Sequence, residues 1–113
     1  MSEKTMTKTN APTAWAKIFM AGDIEIGKQV CREYCFLVGL CVTVQPAEYI
    51  YTGGQEAGMV VGLINYPRFP SSQEDINAKA EALANLMMER CCQHSFTIMD
   101  PVETRWFSRR EAA

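Results

Sequence analysis

Residues Ala14 to Gly39 read AWAKIFMAGDIEIGKQVCREYCFLVG, and this stretch decides the fold. Trp15, Ile18 and Phe19 suit a pleated, half-buried surface, so Ala14–Met20 is expected as a strand that breaks at Gly22-Asp23. Asp23 makes a good N-cap, since its carboxylate accepts from amides that have no partner within a helix, and Glu25 favours the first turn. From Ile24 to Val38 the residues Val30, Cys31, Tyr34, Cys35 and Val38 share one stripe, with Glu25, Lys28, Gln29, Arg32 and Glu33 opposite. Gly39 then ends the helix. A lone aromatic, Phe36, lies on the polar side, either incidental or a subunit contact.

Working outward from this strand and helix, Cys41–Gln45 reads as a strand that Pro46 interrupts and Tyr49–Thr52 resumes. Gly53 to Gly58 is expected to be the hairpin turn, and Met59–Tyr66 the next strand. Two prolines make Pro67 to Pro70 a loop. Ser71 to Glu74 has the form of a capping box, and Ile76, Ala80, Leu83, Met87 and Cys91 recur at helical spacing after it. Short β runs at Ser95–Met99 and Thr104–Phe107 flank an Asp-Pro turn. The order is βαββαβ with an extra C-terminal strand, which predicts an α+β two-layer sandwich of the split βαβ, ferredoxin-like kind.

Before this domain, residues 1–13 are polar and expected to be a flexible tail. Residues 14–108 form the single ligand-binding domain, and 109–113 fray. With 113 residues, 48% apolar and 21% charged, one core is expected. A net charge of −2 argues against DNA or RNA binding, because no broad basic surface neutralises a phosphodiester backbone. Phe36 to Val44 is too short to span a bilayer, and the polar N-terminus lacks a secretory apolar core, so a cytoplasmic protein with no membrane partner is expected. Five cysteines within helical and strand patterns read as reduced core residues.

The residues hold little that suggests catalysis. His94 follows Cys91 and Cys92, but no second histidine completes a metal set, and no nucleophile elbow, zincin motif or phosphate loop is present. Neither an enzyme nor a cofactor is therefore expected. Glycines 53, 54 and 58 suit hairpin geometry or an anion-binding turn. The junction Phe19 to Asp23 offers helix-terminal amides to a phosphate, while Asp23 can accept from ribose hydroxyls or an adenine amine. The loop Asn65-Tyr66-Pro67-Arg68-Phe69-Pro70 is the most informative. Its prolines hold an arginine between two aromatics, where Arg68 can grip phosphate and Tyr66 or Phe69 can stack on a base. Arg105, Arg109 and Arg110 add positive charge near the C-terminus.

Phe19 to Asp23, Tyr49 to Gly54, Gly62 to Pro70 and Gln93 to Phe96 together resemble the phage family called Thoeris anti-defence protein 1, over residues 14–108. The resemblance implies a non-enzymatic sponge that sequesters a cyclic ADP-ribose isomer, and in some members cyclic oligonucleotides, as a dimer or hexamer in the host bacterial cytoplasm. It implies adenine stacking by Phe19, an accepting role for Asp23, and a pyrophosphate held by Arg68, Arg105 or Arg109. The alternatives are a small-molecule-sensing α+β module and a protein-binding phage inhibitor anchored by Phe36 and Trp106.

Overall fold

The computed structural model describes residues 5–110; the expected flexibility of residues 1–4 and fraying of 111–113 lie outside the described residues. Seven elements follow in the order β1 (Trp15–Ala21), α1 (Ile24–Val38), β2 (Thr43–Tyr51), β3 (Gly54–Ile64), α2 (Gln73–Arg90), β4 (Ser95–Met99) and β5 (Thr104–Ser108). The strands form one antiparallel sheet, ordered β2-β3-β1-β4-β5. Between β1 and β2, joined through α1, lies β3, which is the split βαβ expected from the sequence. The C-terminal β5 extends the β4 edge.

Alternation along the strands explains the two layers. Ala16, Ile18 and Met20 of β1, Met59, Val61 and Leu63 of β3, and Phe96 and Ile98 of β4 are buried on one face. Against them α1 sets Val30, Cys31 and Tyr34, and α2 sets Ile76, Ala80, Leu83, Ala84 and Met87. Each large side chain so buried contributes about 1.5–3 kcal/mol. Close approach is secured by Gly27, where a Cβ would fall 2.2 Å from Met59 Sδ. Among the described residues no helix covers the other face of the sheet, and Trp15, Phe19 and Trp106 lie on it.

Three details differ from the sequence expectation. Pro46 does not interrupt β2, which runs unbroken and pairs Pro46 with Met59. Its missing amide is tolerated because β2 is an edge strand. The hairpin turn is Thr52-Gly53 alone: Gly53 takes φ 89°, while Gly54 to Gly58 already belong to β3. Gly58 is required by crowding rather than turning, since a Cβ there would meet Met20 O at 2.3 Å and the Tyr49 ring at 2.7 Å. The Tyr49 hydroxyl fills the gap beside it, donating to Met59 O and accepting from Met20 N at 3.1 Å. Finally, the cap of α2 sits one residue later than the capping box suggests: Ser72, not Ser71, accepts from Asp75 N at 3.0 Å.

Candidate functional site

The seven candidate residues fall into separate groups. β1 and β3 pair from Trp15↔Ile64 to Ala21↔Gly58, so the end of β1 at Asp23 and the end of β3 at Asn65 lie at opposite ends of the sheet, about 20 Å apart at 3.4 Å per residue. Phe19 lies between them on the uncovered face, half-buried beside Val60 and Thr97. Asp23 accepts from Glu25 N at 2.8 Å as the α1 cap. Beside it, Gly22, Ile24, Ala47 and Glu48 help to line an open hollow of about 450 Å³.

Of the three candidate arginines, two are committed to the fold. Arg105 pairs with Asp100 and, at 3.3 Å, with Glu103. Asp100 in turn accepts from Val102 N at 2.7 Å and Glu103 N at 3.0 Å, holding the β4–β5 turn. The Arg105 guanidinium and those two amides lower the Asp100 pKa to about 2. At the Asp23 end of the sheet, Arg109 donates to Gln93 O at 2.9 Å and pairs with Glu89 at 3.5 Å. Arg68 makes no ion pair among the described residues; its guanidinium carbon lies 5.5 Å from the centre of the Phe69 ring.

The structure brings Asn65, Tyr66 and Arg68 together in one tight turn. Phe69 N donates to Tyr66 O at 2.8 Å, with Pro67 and Arg68 as the two central residues, so the fixed φ of proline presets the turn. Asn65 closes the loop, its Oδ1 accepting from Ser71 N at 2.8 Å. Behind this turn lies a cavity of about 320 Å³, walled by Cys35 on α1 and Leu40 after it, Ile64 at the end of β3 and Tyr66 after it, and Ile76 and Lys79 on α2. In front, a second hollow of about 560 Å³ is lined by Thr7, Thr9, Cys41 and residues 66–69. The Cys41 thiol and burial raise the Tyr66 pKa above the usual phenol value, so the ring keeps its proton at neutral pH and can donate.

Mostly apolar walls, the Tyr66 and Phe69 rings and an Arg68 guanidinium that pairs with no acid among the described residues make this end suited to a flat heterocycle joined to a charged group. Cys41, Leu40, Thr7 and Thr9 were not singled out from the sequence. They reach the site from the end of α1 and from the N-terminal segment, which only the tertiary fold brings to the β3–α2 loop.

The architecture is a ferredoxin-like α+β sandwich with one added strand. No family model matches the chain, and no curated protein matches it. Two solved structures share the fold. One is a phage SAM lyase in the apo state, with a TM-score of 0.71 and 15% identity, covering 96% of this chain and 100% of that one. Another is a phage SAM lyase in complex with S-methyl-5′-thioadenosine, with a TM-score of 0.61 and 17% identity, covering 93% and 96%. The likeness to the Thoeris family therefore rests on its motifs alone. The expectation that the chain is no enzyme is corrected here: both neighbours are named as lyases, so this fold houses catalysis in other proteins. No described helix is long and apolar enough to cross a membrane.

Proposed function

We propose that this chain is a phage anti-defence protein that binds an adenosine-bearing small molecule at the Asn65–Phe69 loop and breaks down S-adenosylmethionine there. The observation that carries the reading is Arg68, unpaired among the described residues and held by a proline turn between Tyr66 and Phe69 at the mouth of an apolar cavity. Adenine suits the cavity, an aromatic face attracts the sulfonium, and the guanidinium fork matches the carboxylate of the amino-acid end. The thioadenosine in the neighbouring lyase complex is the fragment left when the bond from sulfur to the aminobutyryl carbon breaks. The bonding pair stays on sulfur and cancels its charge, while the carbon fragment closes on its own carboxylate or gives up a proton. Such loss of charge is favoured in a dry pocket and asks mainly for orientation from the protein.

A cyclic ADP-ribose isomer has the same adenosine joined to a pyrophosphate that Arg68 can grip, and the motif likeness to the Thoeris family favours it as the second ligand. Calorimetric titration with S-methyl-5′-thioadenosine, S-adenosylmethionine and cyclic ADP-ribose separates the two. Saturable binding of the first pair supports the main reading, and binding of cyclic ADP-ribose alone moves the assignment to the second. If none binds, the site is misassigned.

The protein is proposed to act in the cytoplasm of the infected bacterium as a homo-oligomer, whose subunits cover the sheet face bearing Trp15, Phe19 and Trp106. Trp106 is 69% exposed. Phe36, 93% exposed, lies on the helical layer, so it cannot share one patch with Trp106. Light scattering on Trp106→Glu tests the assembly: a shift to monomer supports it, and an unchanged mass refutes that face.

A further inference from the structure

The N-terminal segment, residues 5–13, runs beside the Asn65–Phe69 loop. Thr7 and Thr9 line the hollow in front of the loop together with Arg68 and Tyr66. Further along, the segment is fastened twice, both times by Asn65. The Asn65 side-chain Nδ2 donates to Pro12 O at 2.8 Å, and its backbone N donates to Ala14 O at 2.8 Å. The Asn65 Oδ1 meanwhile accepts from Ser71 N. One amide side chain thus ties the start of the loop, its end and the N-terminal segment into a single unit. Thr5 to Asn10 are exposed beyond that tie.

We propose that residues 5–13 are a strap along the hollow in front of the ligand cavity and that Asn65 is its clasp, a positioning residue that slows ligand escape without touching the ligand. This rests on the loop being the binding site. Asn supplies what the role requires, since its amide offers a donor to one segment and an acceptor to another from the same side chain. The strap side is selectively removed in Asn65→Asp: the carboxylate still accepts from Ser71 N but cannot donate to Pro12 O.

The strap has its own reporter in Lys8, an exposed trypsin site between the two threonines that face the hollow. In N65D, cleavage after Lys8 should run about fivefold faster than in the unaltered chain, the scale expected for losing one hydrogen bond. The thermal midpoint and the exchange protection of the Ser71 amide should be retained. Dissociation of S-methyl-5′-thioadenosine should accelerate by a similar factor, with little change in its association rate. A second variant lacking residues 2–10 should match that faster dissociation. Equal Lys8 cleavage in N65D and the unaltered chain overturns the strap. Faster cleavage with unchanged dissociation in both variants overturns its role as a lid. If the unaltered chain binds no thioadenosine, the ligand assignment fails, while the Lys8 comparison still decides the clasp.

Discussion

Replacing Arg68 with alanine should weaken ligand binding and leave the fold intact. Arg68 is exposed and pairs with no acid among the described residues, so its removal costs the native state no more than about 0.5 kcal/mol. A guanidinium bond to a charged ligand group is worth about 1.5–3 kcal/mol. Because Arg68 stands at the rim and stays hydrated, the lower part of that range applies, about 1.5–2 kcal/mol. At about 1.4 kcal/mol per decade this gives roughly 10- to 30-fold weaker binding of S-adenosylmethionine. Arg68→Lys should fall between the two, since lysine keeps the charge and loses the fork. Calorimetric titration of the three proteins, beside their thermal midpoints, provides the assay. Undiminished affinity in a well-folded R68A protein refutes the placement of the anionic end at this loop.

Arg105→Ala should do the reverse, lowering stability and sparing affinity, because Arg105 holds Asp100 rather than a ligand. The pH profile carries its signature. The folded Asp100 pKa of about 2 lies below its ordinary value of 3.8, so the stability it confers is complete above about pH 4 and lost as pH falls through 2. Thermal midpoints measured from pH 5 to 2 should fall less steeply in R105A than in the unaltered chain. Gly58→Ala should destabilise by about 1–3 kcal/mol in urea unfolding, because the new methyl meets the β1 backbone at Met20 and neither strand can retreat without breaking register. Cys41 and Cys92, both exposed, should react with iodoacetamide in the native state, while Cys31, buried and with its pKa raised to about 11, should react only after unfolding.

The order of elements was legible because each rests on local chemistry. Asp23 caps α1 as its side chain dictates, and the apolar stripe of α2 follows its spacing. What failed to show were consequences of strand neighbours. Pro46 looked like a break because nothing in the sequence says that β2 is an edge. Gly58 looked like a turn residue because the carbonyl it accommodates belongs to Met20, 38 positions away in the chain. The site was legible in part for the same reason. Tyr66, Pro67, Arg68 and Phe69 are contiguous, so their turn could be read, whereas grouping Asp23 with Arg68 ignored that β1 and β3 run in opposite directions. Nothing local distinguishes Arg68 from Arg105 either, since the partner that occupies Arg105 is set by the β4–β5 turn. The lack of catalytic motifs was a poor guide, because two solved structures that share this fold are named as lyases.

The central claim is tested most directly by incubating the purified chain with S-adenosylmethionine and following the mixture by liquid chromatography and mass spectrometry. The account predicts S-methyl-5′-thioadenosine accumulating in proportion to enzyme and time, and at least tenfold more slowly with R68A at low substrate. Substrate that stays intact at stoichiometric protein, with no thermal shift from either compound, would contradict it.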